Sequence, residues 1–145
     1  MNLAMNRDNS AAAPALSDAA FPAVLRAASL FDFPDVSNIC RQKLKEVWRG
    51  GALATLAHVT MEPGASSLLH RHDRLTEVYV ILSGRGRLTS GAERLDVERD
   101  SVVVIPPGVP HKLDNAPGAE LTHLVICAPG FDPSDVILLE APPNA

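Results

Sequence analysis

Cysteine and long apolar runs are both scarce in this 145-residue chain. Cys40 and Cys127 stand far apart and form no CxxC pair, which is typical of free thiols in a reducing compartment, although a disulfide between them stays open. No apolar run approaches the roughly 20 residues that span a bilayer. The first residues, MNLAMNRDNSAAAPALSD, have no secretory apolar core, so we expect a cytoplasmic protein without membrane spans.

A concentrated positive charge is also missing. The 13 Lys and Arg residues are scattered among 17 Asp and Glu residues, giving a net charge of −4, so we expect no nucleic-acid partner. Residues 1–43 contain no helix-turn-helix segment, which argues against a transcription regulator. Ser66 and Ser67 lack the surroundings of a nucleophile elbow, so a hydrolase triad is not indicated.

The first 43 residues predict an arm outside the main domain. Residues 1–19 carry small and polar side chains without periodicity, which favours a flexible segment. Phe21, Leu25 and Ala28 then share a helical face, predicting a short helix that ends before Pro34. The remaining chain has the size and apolar content, 46% overall, for one continuous core.

From residue 43 onward, short β-forming runs alternate with turn sequences. The runs are KLKEVWR, ALATLAHVTM, TEVYVIL, GRLTS, ERLDV, SVVVI, HKLDN and LTHLVICA. Because no helix-length segment separates them, the pattern predicts an all-β sandwich or closed barrel.

Three potential metal ligands lie within HRHDRLTEVYVILSG, which begins at His70. His70 and His72 point the same way on an extended strand, because side chains alternate between its two faces. Glu77 lies an odd number of positions from both, so the polar residues between must bend the chain and let the glutamate begin the next strand. Tyr79 and Ile81 then share the face of Glu77, as pocket lining or as ordinary core.

A fourth candidate, His111, follows the turn of SVVVIPPGVPHKLDN. The prolines restrict this turn to few conformations, which suits a metal ligand. Three histidines and one carboxylate suit iron, manganese, nickel, copper or zinc, and an octahedral ion would keep positions open for water, dioxygen or substrate.

These residues carry a resemblance to the cupins. The stretch from Gly64 to Gly84 matches every fixed position of the first cupin motif, G(X)5HXH(X)4E(X)6G. The second motif, G(X)5PXG(X)2H(X)3N, is matched by Pro106, Gly108, His111 and Asn115, with Asp100 in place of its first glycine. Asp is among the better non-glycine residues at a positive φ, so we expect mild strain there and an intact fold.

The resemblance implies a double-stranded β-helix, or jelly-roll barrel, over residues 44–128, with residues 129–145 as a tail packing on it. It also implies that His70, His72, Glu77 and His111 hold one divalent transition metal ion (Fe, Mn, Ni or Zn), and that the chain forms a homodimer. The expected function is metal-dependent chemistry on a small organic substrate, with a dioxygenase-type reaction favoured. An isomerase, cyclase or lyase and a non-catalytic ligand-binding cupin are the alternatives, since fold alone does not decide function.

Several other residues have ordinary structural explanations. His58 and His123 sit in β runs, and alternation does not say which of them faces the interior, so a structural role is favoured for both. Gly84 and Gly86 are expected to serve a turn, rather than to form an anion cradle with Arg85 and Arg87. Asn115 is expected to bond the loop backbone.

Overall fold

The computed structural model describes residues 16–17, 29–38 and 42–142, which fold mainly into β-strands, as predicted. In chain order the strands are β1 (Leu16–Ser17), β2 (Val36–Ser37), β3 (Lys43–Arg49), β4 (Thr55–Met61), β5 (His70–His72), β6 (Thr76–Ser83), β7 (Arg85–Ser90), β8 (Glu93–Glu98), β9 (Val102–Ile105), β10 (Lys112–Asn115), β11 (Leu121–Ala128) and β12 (Val136–Leu138). Within the described residues, two short 3-10 helices cover Leu30–Asp32 and Pro133–Asp135.

The strands build a jelly-roll barrel from three sheets. The largest runs in the order β1, β3, β4, β11, β6, β9, with β2 also paired to β3. A second sheet has the order β10, β7, β8, and a third pairs β12 with β5. Strand β1 lies parallel to β3, whereas the other pairs are antiparallel.

Alternating burial along the strands places the core inside this barrel. In β6 the buried positions are Glu77, Tyr79 and Ile81, and in β11 every second residue from Leu121 to Cys127 is buried. The core that these faces enclose is mostly aliphatic. Its most completely buried apolar side chains are Leu44, Val59, Met61, Leu75, Ile81, Leu113 and Leu121.

Two turn positions explain the glycine pattern of the cupin motifs. Asp100 has a φ of 70°, the left-handed conformation expected where it replaces a glycine. Gly84 has a φ of 85°, and a Cβ there would lie 2.4 Å from the carbonyl oxygen of Glu120. A side chain at residue 84 would therefore meet both backbone strain and a direct clash.

Some elements were not predicted from the sequence. Strands β1, β2 and β12 are two or three residues long, too short to give a periodic signal. Strands β1 and β12 exist through pairing with distant strands, whereas β2 pairs with the next strand, β3. Most of the predicted helix lies outside the described residues, and its last part belongs to the 3-10 helix Leu30–Asp32. Cys40 also lies outside them, whereas Cys127 is a free, buried thiol.

Among the described residues, no helix has both the length and the apolar character needed to cross a bilayer.

Candidate metal centre

Two strands and one rigid turn carry the four candidate ligands. Strand β5 presents His70 and His72 on its buried face, while Arg71 between them is half-buried. The chain bends over residues 73–75, and Glu77 then points inward from β6. The bend expected before Glu77 is therefore present. The turn over residues 106–110 brings His111 to the same place.

The backbone pairs two of the histidines directly. His70 N donates to His111 O at 3.2 Å, and His111 N donates to His70 O at 2.9 Å. This reciprocal pair is the hydrogen-bonded arrangement of an antiparallel bridge. It fixes the separation of two side chains that are 41 positions apart in the sequence.

One ligand atom from each of the four residues lies within 4.8 Å of the others, and all four residues are buried. The imidazole centroids of His70 and His111 are 4.3 Å apart, and those of His70 and His72 are 5.1 Å apart. This spacing brings three nitrogens and a carboxylate around one point, as a single ion requires.

Hydrogen bonds set the tautomer of two imidazoles. His70 Nδ1 lies 2.7 Å from Leu68 O, and His111 Nδ1 lies 3.0 Å from Val109 O. Because a carbonyl oxygen only accepts, both Nδ1 atoms donate. In the neutral rings the Nε2 lone pairs can then face the centre. A hydrogen bond from the other ring nitrogen to a carbonyl oxygen is usual for a metal-binding histidine.

Polar atoms at the centre lack ordinary partners, which fits a cation. His70 Nε2 and both ring nitrogens of His72 are buried without a hydrogen bond in the structure. His111 Nε2 lies 2.8 Å from Glu77 Oε2, and two acceptors so close require a proton or a cation between them. The residues present therefore fit a bound metal ion.

The electrostatics favour a charged carboxylate beside neutral imidazole. Burial opposes ionisation of Glu77, which is 1% exposed, but the hydrogen bond with His111 and the close approach of His72 Nε2, 3.3 Å from Glu77 Oε1, outweigh burial and hold the pKa of Glu77 well below its usual range. Burial also lowers the pKa of His70 to about 3. At neutral pH the centre thus offers one negative oxygen and an unprotonated His70.

The two residues considered for pocket lining lie in the core beside the centre. The Tyr79 hydroxyl donates to Glu77 Oε2 at 3.1 Å, which ties this ring to the candidate carboxylate ligand. Ile81 lies further along the same face of β6 and is 1% exposed. Tyr79 therefore has a polar contact with the centre, and Ile81 contributes apolar packing.

His123 and His58 occupy opposite faces of the sheet. His123 is buried inside the barrel, where its ring packs on Tyr79 with centroids 4.6 Å apart, and burial lowers its pKa to about 4. His58 is half-buried on the outer face of β4. Alternation predicts that neighbouring residues of one strand face opposite sides of the sheet, but only the packed barrel shows which side is the interior.

Cys127 is a neighbour of the centre that the sequence did not single out. Its Sγ lies 3.8 Å from Glu77 Oε1, and burial together with the Glu77 charge raises its pKa, so the thiol is protonated at neutral pH. The cross-strand register places Cys127 directly opposite Glu77. A lone cysteine in the sequence does not predict this strand register.

A small cavity adjoins the centre at one end of the barrel. It encloses about 10 Å³, room for roughly one water molecule. Its lining includes Trp48, Thr55, Ala57, Cys127 and Phe131. The Phe131 ring also lies edge-on to His72, with centroids 6.2 Å apart. Cys127, which contacts Glu77, and Phe131, which contacts His72, lie between this cavity and the candidate ligands.

A larger cavity lies elsewhere. It encloses about 620 Å³ and is bordered by Arg85, Arg87, Asp96 and Glu98. Arg87 pairs with Asp96 at 2.7 Å, and Arg85 with Glu98 at 3.6 Å. None of the four candidate ligands borders it. Its arginines pair with acidic neighbours on the exposed face of β7 and β8, so the larger volume does not mark the chemical centre.

Asn115 holds the loops around the second motif. Its Nδ2 donates to the carbonyl oxygens of Met61, Glu62 and Ala119 at 2.8–3.2 Å. The predicted role in bonding loop backbone is confirmed.

Comparison with known proteins agrees with this fold. Residues 57–127 match the Cupin domain family. The chain is 33% identical over 103 residues to the uncharacterized protein MJ1618 of Methanocaldococcus jannaschii, covering 71% of this chain and 82% of that protein. This chain belongs to the cupin family.

Two solved structures share the barrel at low sequence identity. The nucleoside dehydratase Pac13 has a TM-score of 0.68 at 15% identity, covering 81% of this chain and 92% of the other; Streptomyces Pac13 was also solved with uridine. The polyketide cyclase RemF of Streptomyces resistomycificus has a TM-score of 0.69 at 18% identity, covering 81% and 87%. At such identities the likeness establishes the fold alone.

Proposed function

We propose that this protein is a metal-dependent enzyme that converts a small organic compound at a mononuclear centre formed by His70, His72, Glu77 and His111. The main support is that four buried donor atoms lie within 4.8 Å of one another. Three buried imidazole nitrogens of His70 and His72 have no hydrogen bond. Iron, manganese, nickel or zinc suits this mixed nitrogen and oxygen set.

A divalent ion held there supplies a Lewis-acid centre with open coordination positions in apolar surroundings. The chain supplies the rest. Glu77 contributes the negative charge, and carbonyl oxygens fix the orientation of His70 and His111. Tyr79 holds one oxygen of Glu77 through its hydroxyl, and the apolar walls formed by Ala57 and Phe131 exclude bulk water.

An oxidative reaction of the dioxygenase type is our leading assignment. His70, His72, Glu77 and His111 would hold the ion, and an iron ion held there would supply the capacity to react with dioxygen. The small cavity beside Cys127 accommodates a molecule about the size of water. A larger substrate would enter at the same end, after displacement of the Trp48 or Phe131 side chain.

A non-oxidative reaction is the second candidate. It is favoured by the two structural neighbours, one described as a nucleoside dehydratase and the other as a polyketide cyclase. Both chemistries suit a Lewis-acid centre. A cupin that binds a small ligand without converting it is a third possibility, because the same barrel would serve it equally well.

Metal analysis of protein purified without an affinity tag tests the centre. We expect about one equivalent of a divalent transition metal, loss of it in His72→Ala, and retention in His58→Ala. His58 is the matched control because it lies half-buried on the outer face of β4. Unchanged metal content in His72→Ala, or no binding of any of the four metals by the wild type, would refute the assignment.

Reaction class can then be separated with protein reconstituted anaerobically with Fe²⁺ or Zn²⁺. Substrate-dependent dioxygen consumption by the iron form alone supports the dioxygenase assignment. Conversion that proceeds without dioxygen supports the non-oxidative one. Tight binding of a metabolite without conversion, at full metal occupancy, favours the binding protein.

We also propose a homodimer formed through the outer face of the largest sheet. Cross-strand register aligns two apolar rows there, made of Val104, Val78, Ile126 and Leu56, and of Val102, Val80 and Leu124. Val102 and Val104 are 62% and 59% exposed. A second copy of the chain would remove this face from water, which is favourable.

Light scattering after gel filtration tests the dimer. The wild type is expected to have twice the mass of the chain, and the double variant Val102→Lys with Val104→Lys to be monomeric. Leu53→Lys, at a 69% exposed site in the loop between β3 and β4, is the control and should remain dimeric. A monomeric wild type would disprove the proposal.

A further inference from the structure

The C-terminal residues 131–140, named here the C-terminal strap, cross the outside of the candidate metal centre. They lie beyond the part of the chain that matches the cupin family, residues 57–127. Within the strap, β12 pairs with β5 so that Val136 stands opposite His72 and Leu138 stands opposite His70. The strap is therefore hydrogen-bonded to the strand that presents two of the candidate ligands.

Asp135 anchors the strap to the bend that leads to Glu77. Its carboxylate accepts from the backbone N–H of Asp73 at 3.1 Å and of Arg74 at 3.2 Å. It also accepts from Arg74 Nε at 3.2 Å, and Asp135 is only 4% exposed. A buried carboxylate with three donors constrains this bend strongly. The bend is also what turns Glu77 towards the histidines.

Glu140 anchors the other end of the strap beside the remaining ligands. Its Oε1 accepts from the backbone N–H of Leu69 and from Lys112 Nζ, both at 2.8 Å. Leu69 immediately precedes His70, and Lys112 immediately follows His111. Leu139 N also donates to Leu69 O at 2.9 Å. One carboxylate thus joins the two segments whose histidines face each other.

We infer that Asp135 and Glu140 are positioning residues for the metal centre, through which docking of the strap and binding of a metal ion favour each other. This inference rests on the proposed metal centre. Neither carboxylate is a candidate ligand, and each acts on ligand-bearing backbone. Three separate chain segments must hold their ligands in one geometry. Without an anchor, the ligand-bearing segments are less ordered before the ion binds, and ordering them lowers the affinity for the ion.

Coupling of this kind is reciprocal. If a docked strap raises the affinity for the ion, then the ion must stabilise the docked strap by the same factor. The amide of Leu139 reports docking, because it bonds to Leu69 O. Its hydrogen exchange should slow when metal is added.

The first test measures Zn²⁺ affinity by competition with a chromophoric chelator. Asp135→Ala and Glu140→Ala are expected to bind Zn²⁺ about 10- to 100-fold more weakly than the wild type, the usual effect of losing a group that orients ligands. Glu140→Gln keeps an acceptor oxygen and should recover most of the affinity. Asp96→Ala removes an exposed ion pair with Arg87 away from the centre and should change nothing.

The second test measures hydrogen exchange of wild-type strap amides with and without Zn²⁺. Slower exchange at Leu139 supports the coupling and needs no variant, so it decides the matter if an alanine variant does not fold. Equal Zn²⁺ affinity in folded Glu140→Ala and the wild type, or exchange unaffected by Zn²⁺, would overturn the inference while leaving the metal centre intact. A wild type that binds no metal overturns both.

Discussion

Replacing Tyr79 with Phe removes one hydroxyl and little else from the candidate centre. The hydroxyl donates to Glu77 Oε2 at 3.1 Å. The aromatic ring, which packs on His123 at 4.6 Å, is retained by Phe. The variant therefore removes the hydrogen bond to a buried carboxylate whose pKa is held well below its usual range.

The expected cost follows from the charge on that carboxylate. A hydrogen bond to a charged group contributes about 1.5–3 kcal/mol to stability. The metal-free variant should therefore unfold with a free energy lower by about that amount. Because the hydroxyl also orients Glu77, we expect metal affinity to fall by about 10-fold or more.

Two assays on the same samples check this. Urea unfolding of metal-free protein gives the stability, and chelator competition gives the Zn²⁺ affinity. Ile81→Val is the matched control: Ile81 lies on the same buried face of β6 and the change costs about 0.5–1.5 kcal/mol, but it removes no polar contact. Equal Zn²⁺ affinity in Tyr79→Phe and Ile81→Val would refute the assigned role of the hydroxyl.

Three further predictions concern residues outside the ligand set. Burial lowers the pKa of His123 to about 4, so between pH 6.5 and 4 the unfolded chain binds a proton that the folded chain excludes. The free energy of unfolding therefore decreases by up to about 3 kcal/mol as the pH is lowered from 6.5 to 4. In urea unfolding, His123→Phe should lose that much less over the same pH range. Asp100→Gly should raise the thermal midpoint, gaining about 0.5–1 kcal/mol, because Asp100 has a φ of 70°. Gly84→Ala should cost about 2–5 kcal/mol in urea unfolding, because its Cβ would lie 2.4 Å from Glu120 O. Gly91→Ala, at a φ of 57° with open space around it, should cost only about 1–2 kcal/mol.

Each of these has a clear contrary outcome. Parallel pH profiles for the wild type and His123→Phe would contradict the burial of a neutral imidazole. A lower thermal midpoint for Asp100→Gly would mean that the aspartate side chain contributes more than its backbone strain costs. Equal losses in Gly84→Ala and Gly91→Ala would mean that contact with Glu120 has no energetic effect.

Local sequence signals predicted most strands of the barrel closely. LTHLVICA is β11 (Leu121–Ala128), and KLKEVWR is β3 (Lys43–Arg49). These runs are long enough for alternation to appear, and glycine or proline turns delimit them. The positive φ of Asp100 was also predictable, since a motif position usually held by glycine imposes that conformation.

Shorter elements and cross-strand neighbours were not predictable in this way. Residues 136–138 give no periodic signal, yet they form β12 because β5 offers a free edge beside them. Cys127 lies near Glu77 only because β11 pairs with β6 in one particular register. Pairing between distant segments depends on the closed barrel, which no local pattern encodes.

By itself the sequence determined the alternation of faces, the turn positions and the identity of four candidate ligands, because spacing and backbone preference are local properties. Only the tertiary structure decided that His123 faces inward and His58 outward, that the space beside the centre holds about 10 Å³, and that the C-terminal strap binds the ligand-bearing segments. Alternation states which side chains share a face, whereas the second layer that makes one face the interior comes from residues far away in the chain.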